Sequence, residues 1–116
     1  MSDRDPIIIS AVRTPIGDFG GALRDVSYTK LAALVMNEVV SRANFSKDDI
    51  DDVFWGVVMP RSDENGLARA AVLEAGFPHE VPTVQLNRAC CSSMEAIRIG
   101  TMAIRLGESN AILAGG

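Results

Sequence analysis

Two thiols stand side by side in this 116-residue chain, Cys90 and Cys91, and they are its only cysteines. An adjacent pair fits neither a disulfide framework nor the C-x₂-C spacing of zinc and redox motifs. Its position says more. The apolar run Thr83 to Leu86 reads as a strand, and a helix is expected from about Cys91 to Leu106, so Cys90 sits at a strand–turn–helix junction. Unpaired N–H groups and the positive end of the helix dipole stabilise an anion at such a start, which favours the thiolate, the attacking form of the side chain. Ser92 and Ser93 follow, and either can help to cap the helix. The alternative is that a free cysteine is a small, inert core residue. Position alone leaves both readings open.

The other residues with chemical potential point elsewhere. His79 is the single histidine and lies in the loop Phe77-Pro78-His79-Glu80, where a solvated side chain is expected. The acidic group Asp48, Asp49, Asp51 and Asp52 lacks the glycine and terminal glutamate of a calcium loop, so it reads as a solvated surface. The glycines of Gly17-Asp18-Phe19-Gly20-Gly21 are not followed by Lys-Ser/Thr and are not spaced G-x-G-x-x-G. They mark a turn. No metal site is expected.

The elements that must position Cys90 alternate between strand and helix. Ile7 to Val12 is a β-branched run expected as a buried strand. Tyr28, Leu31, Ala32, Val35, Met36 and Val39 form one helical stripe with Ser27 as N-cap. Ser46 to Asp49 reads as a short capped turn into a second buried strand, Val53 to Met59. A short helix from about Leu67 to Ala75 has Gly76 past its end, and the loop with Pro78 and Pro82 leads to the strand at Thr83. The third helix has one narrow polar stripe, Glu95, Arg98, Thr101 and Arg105, and is expected to be mostly buried, with Gly100 permitting close packing. Ala111 to Ala114 makes a fourth strand. Three βα units and a final strand predict a parallel, doubly wound α/β sheet with right-handed crossovers.

Composition bounds the rest. The length suits one domain. With 47% hydrophobic and 22% charged residues the chain is globular rather than disordered or coiled-coil. Its 11 basic and 15 acidic residues give a net charge of −4, without the basic footprint of a nucleic-acid binder. Apolar runs fall far short of the ~20 residues that span a bilayer, so no membrane partner is expected. The acidic start Met1-Ser2-Asp3-Arg4-Asp5 lacks an apolar leader. A reducing, cytoplasmic setting is the expectation. Ligands of such sheets lie beyond the carboxyl ends of the strands, where the last strand runs out at Gly115-Gly116, so the chain reads as part of something larger.

Against this background the sequence resembles the thiolases, among them the degradative 3-ketoacyl-CoA thiolases. The stretch Leu86-Asn87-Arg88-Ala89-Cys90-Cys91-Ser92-Ser93-Met94 is similar to the family's "VNRxCGSSM" around its acylated cysteine. Ser10 to Gly17 followed by Phe19-Gly20-Gly21 is like the family's opening "VRTPxGxFGG". Val53-Phe54-Trp55-Gly56, Ala68-Arg69 and Ala114-Gly115-Gly116 extend the likeness over the whole chain.

The resemblance implies that Cys90 is the nucleophile, with Cys91 where the family has glycine or another small residue. It implies a thiolase-like fold in incomplete form: residues 1–116 as the N-terminal part of the N-terminal domain, a parallel sheet in the order strand–helix repeated (βαβαβαβ), with the rest of that domain and the C-terminal domain lacking. The family's order puts the first strand centrally, flanked by the second and fourth, with the third at an edge.

The implied reaction is ping-pong. The Cys90 thiolate attacks a 3-ketoacyl-CoA, acetyl-CoA leaves, and free coenzyme A takes the acyl group; the reverse is a Claisen condensation. The backbone N–H of Cys90 would belong to an oxyanion hole. Coenzyme A enters as substrate, no cofactor is implied, and the residues that would bind it are unknown. The base histidine and second cysteine are implied to come from a complementary thiolase polypeptide in a homo- or hetero-oligomer. That partner is expected to cover the open sheet edge and the apolar face of the third helix. Two rival functions stand beside this one: a ketosynthase-type condensing enzyme, and a non-catalytic subunit of a thiolase-like complex.

Overall fold

A computed structural model describes residues 4–116. Its first regular element is helix α1, Tyr28–Arg42, set where Ser27 leaves the helix and its Oγ accepts the Lys30 N–H at 3.1 Å. The expected stripe faces inward, with Ala32, Ala33, Met36 and Val40 buried. Asn44, at φ 51°, turns the chain out of the helix, and the Ser46-capped turn Lys47–Asp49 leads it into strand β1, Asp52–Gly56. Helix α2, Leu67–Glu74, strand β2, Thr83–Leu86, helix α3, Ser92–Leu106, and strand β3, Ile112–Gly115, follow. Gly76 and Gly107 adopt the left-handed φ of 75° and 79° that the ends of α2 and α3 require.

The sheet is parallel and ordered β2-β1-β3. Strand side chains alternate between faces, and the core follows that period. Val53, Trp55 and Val57 join Met36 of α1 and Leu67, Ala71 and Val72 of α2 in one buried cluster. On the opposite parity, Gly56 lies against Ser92 at the start of α3. Gly100 does for β3 what its sequence position implies, since a Cβ there would sit 3.0 Å from Cγ2 of Ile112.

The expected first strand is the main correction. Residues 7–12 run past the sheet without joining it, and Ile7 and Ile8 are 80% and 78% exposed. β1 takes the central place and pairs directly with β3, with Asp52 opposite Ile112 and Phe54 opposite Ala114, so the sheet has three strands, not four. The cause is competition for backbone partners. The β1 groups that would receive another strand are bonded to β3, while the N-terminal arm is tied elsewhere. The Arg4 guanidinium donates to the carbonyls of Ile104 and Ser109 and to Oδ1 of Asn110, and Asp5 pairs with Arg105 at 3.6 Å. Between residues 5–14 of this arm and the elements α1, α3 and β3 lies a cavity of about 1180 Å³.

Helix α3 is also less covered than its composition suggests. Ser92, Ala96, Gly100 and Ala103 are buried against the sheet, whereas Met94, Ile97, Met102 and Leu106 face solvent.

The register of β3 is pinned by one carboxylate. Asp51 Oδ2 accepts the N–H groups of Asn110 at 2.6 Å and Ala111 at 3.1 Å, and these bonds hold its pKa below the ordinary carboxylate value. A depressed pKa means that ionised Asp51 stabilises the fold above its unfolded-state pKa of about 4, a contribution lost as pH falls through the lowered value. Burial pushes the neighbouring Asp52 the other way. Asp51→Asn is expected to flatten the fall of thermal midpoint below about pH 5. Parallel acid melts of the two proteins check this, and superimposable slopes would rule Asp51 out as the anchor.

Candidate active site

Strand β2 ends at Leu86, and the chain needs only five residues, Asn87 to Cys91, to turn into α3. That turn stands at the carboxyl ends of the strands, where open α/β sheets place their ligands. It is tied to the central strand's exit, because the Asn87 side-chain amide donates to the carbonyl of Val58 at 3.0 Å.

Within the turn nearly every polar group has a partner. Asn87 Oδ1 accepts the Ala89 N–H at 2.9 Å. Ser92 Oγ accepts the Arg88 N–H at 2.9 Å and donates to the Ala89 carbonyl at 2.6 Å. The N–H groups of Cys91 and Ser92 return to the carbonyls of Arg88 and Ala89, both at 3.1 Å. Ala89 is thereby held at φ 47°. A left-handed conformation costs a residue with a Cβ about 1–2 kcal/mol. The strained residue immediately precedes Cys90.

Both Cys90 and Cys91 are free thiols and both are exposed. Cys91 is the N-cap residue of α3, at φ −95° and ψ 10°, and its carbonyl accepts the Glu95 N–H at 2.9 Å. Neither serine caps the helix in the expected way, since Ser92 spends its hydroxyl on the turn behind it. One turn further on, Glu95 receives Arg98 at 2.6 and 2.9 Å and Arg88 at 2.9 Å. The Arg98 hydrogen bond, with Arg88 adding to it, holds the Glu95 carboxyl below its ordinary pKa. An ionised Glu95 thus fastens the turn to the first turns of α3.

Glycines let the pieces approach. A Cβ on Gly56 would lie 2.6 Å from Cβ of Ser92, and one on Gly116 would lie 2.6 Å from backbone atoms of Gly56. The ends of β1 and β3 and the start of α3 therefore meet backbone to backbone beside the turn that carries Cys90.

His79 is not brought to this place. It lies in the loop before β2, at the other end of that strand, exposed and 3.0 Å from Glu80. The turn Lys47–Asp49 and Asp51 lie likewise before β1, and Asp52 is its first residue. Among the described residues no three of His, Cys, Asp and Glu gather as a metal would need. The cavity beneath the arm is lined by Ser93 and Ile97 of α3 but by neither cysteine.

Sequence reasoning singled out Cys90 and expected Ser92 only as a helix cap, while Asn87, Glu95 and Gly56 stood in motifs or a polar stripe without a role at the turn. A signal existed for two of them. Asn two residues before a turn N–H is the pattern of an Asx turn, and glycine inside an apolar strand run marks a close approach.

An exposed thiol in a bonded turn at a helix start, at the carboxyl end of a parallel sheet, is the setting in which the family of this chain comes into view. The chain belongs to the thiolase family: residues 6–116 match its N-terminal domain, described as "Thiolase, N-terminal domain". An acetyl-CoA acetyltransferase of Syntrophomonas wolfei is 36% identical over 113 residues, 97% of this chain and 28% of that protein. A 3-ketoacyl-CoA thiolase of Yersinia enterocolitica is 44% identical over 113 residues, 95% of this chain and 29% of that protein. The crystal structure of the Bacillus anthracis acetyl-CoA acetyltransferase superposes with a TM-score of 0.90 at 44% identity, covering 95% of this chain and 28% of that one. The chain thus spans less than a third of the length of the relatives it matches. No helix among the described residues is long and apolar enough to cross a membrane.

Proposed function

We propose that this chain supplies the acylated thiol of an acyltransferase of the thiolase type, acting on 3-ketoacyl-CoA and coenzyme A in fatty-acid degradation (β-oxidation) or, in reverse, on acetyl-CoA. The observation that carries this reading is Cys90 itself, exposed in a hydrogen-bonded turn at the start of α3, within Asn87-Arg88-Ala89-Cys90-Cys91-Ser92-Ser93-Met94. The Cys90 thiolate adds to the 3-keto carbon. The bond between C2 and C3 then breaks, the electron pair goes to C2, and a proton delivered there releases acetyl-CoA. The thiol of a second coenzyme A gives up its proton, attacks the acyl-cysteine and frees the Cys90 thiolate.

Two proton transfers need groups that His79 does not provide from its position before β2. A complementary thiolase polypeptide contributes a base histidine and a second cysteine in this scheme, in a homo- or hetero-oligomer. The exposed Met94, Ile97, Met102 and Leu106 of α3 support such a partner, because side chains of this size normally find cover. Coenzyme A is substrate, no further cofactor is invoked, and the setting is the cytoplasm.

The test is acyl transfer. The chain is incubated with acetoacetyl-CoA, alone and with a polypeptide carrying the remainder of the Bacillus anthracis relative, and followed by intact mass and peptide mapping. The expected result is an acyl adduct on the peptide containing Cys90, with turnover to acetyl-CoA only in the mixture. An unmodified thiol under both conditions would defeat the proposal.

A further inference from the structure

We propose that Ser92 and Asn87 are positioning residues that hold Ala89 in its left-handed conformation and so aim the Cys90 thiol; this rests on the reading of Cys90 as nucleophile given above. Ala89 is one of two non-glycine residues with positive φ among those described, and it is the one beside the thiol. A residue with a Cβ stays in that region only where its surroundings over-determine it. Here both of its backbone polar groups are held by side chains from either flank. Its N–H goes to Asn87 Oδ1 at 2.9 Å and its carbonyl receives Ser92 Oγ at 2.6 Å.

The two clamps are themselves anchored. Ser92 is buried, and its Cβ lies where Gly56 of β1 leaves room, since a Cβ on that glycine would come within 2.6 Å of it. Its hydroxyl is fully used, accepting from Arg88 N–H while donating to Ala89. Asn87 spends its amide on the carbonyl of Val58, beyond the end of β1. The direction of the Cys90 side chain is thus referred back to the central strand through two hydrogen-bonded side chains.

Cys91 supplies an internal reference. Its carbonyl is bonded into α3, so its direction follows the helix rather than the clamped residue. Loosening Ala89 should therefore move Cys90 against Cys91, a change that a general loss of stability would not produce.

The experiment alkylates the chain with iodoacetamide across pH and reads the ratio of label on Cys90 to label on Cys91 by peptide mapping. Far-UV circular dichroism and a melt establish that each variant is folded. In Ser92→Ala and in Asn87→Ala the ratio is expected to fall by about tenfold or more, and the pH at which Cys90 reacts is expected to shift. Asn87→Asp retains the acceptor for the Ala89 N–H but loses the amide that anchors it to Val58, so its ratio should fall between those of Asn87→Ala and the unaltered chain. Glycine takes a φ near 47° freely, so Ala89→Gly added to Ser92→Ala should recover the ratio.

Folded Ser92→Ala and Asn87→Ala proteins with unaltered ratio and pH profile would overturn the proposal. Should Ser92→Ala not fold, a folded Asn87→Ala with the ratio of the unaltered chain would overturn it on its own. Label chiefly on Cys91 in the unaltered chain would instead remove the reading of Cys90 as nucleophile, and the proposal with it.

Discussion

Cys90→Ser is expected to abolish acyl-enzyme formation and turnover in the complemented enzyme, by about 10³-fold or more, or at least ~4 kcal/mol of transition-state stabilisation. A serine hydroxyl is almost wholly protonated at neutral pH and lacks the nucleophilicity of a thiolate. Cys91→Ala should retain activity within about tenfold, since its side chain is exposed and its truncation removes little buried surface. Exposure does not choose between the thiols. Their places in the backbone differ, because Cys91 is committed to α3 while Cys90 follows the constrained Ala89. Steady-state thiolysis and trapped acyl-peptide, measured for both variants, decide the assignment. Activity that survives Cys90→Ser and dies in Cys91→Ala would reverse it.

Gly56→Ala is expected to be strongly destabilising for a single added methyl. The new Cβ would lie 2.6 Å from Cβ of Ser92 and 2.9 Å from its carbonyl carbon, so a helix backbone would have to move. Overpacking of this kind costs about 1–3 kcal/mol, and contact with backbone places it at the upper end. The displaced residue is the one that staples the nucleophile turn, so reactivity should fall together with stability. Chemical denaturation gives the first quantity and the Cys90 alkylation rate the second. A midpoint within error of the parent would mean that α3 yields freely, contrary to the packing described.

The elements that sequence revealed were those governed by local chemistry. Ser27 and Ser46 cap the elements they were expected to cap, and Gly76 and Gly107 end α2 and α3 with positive φ. A cap or a left-handed exit is decided within four residues of chain. Strands β1, β2 and β3 were legible to within three residues at their ends, as apolar runs between turn signals. The run Ile7 to Val12 has the same character and makes no strand. Composition says that a segment would suit a sheet, but not that an unpaired edge will be open to it.

The exposed side of α3 has a similar origin. A narrow polar stripe measures how much apolar surface a helix offers, not how much this length of chain can cover. At the site, Cys90 was legible from the helix start and the resemblance around it. The bonds of Ser92 to Arg88 and Ala89 were not, because a serine at a helix start can equally cap forward or staple the turn behind it. Nor was the neighbour that Gly56 meets, because it depends on how β1 meets α3 across some thirty-five residues of chain.

The central position of β1 also sets an order of assembly. Pairing Val53 with Thr83 closes a loop of about thirty residues, whereas pairing Asp52 with Ile112 closes one of about sixty. The anchors of the nucleophile turn, Asn87 on Val58 and Ser92 on Gly56, come with the shorter closure and ask nothing of β3. Each doubling of loop length adds only ~0.6 kcal/mol of closure entropy, so β3 joins at slight extra cost. The reactive corner of the molecule is thereby built from a contiguous stretch between β1 and α3, and the last strand is an addition to a corner that can take shape before it arrives.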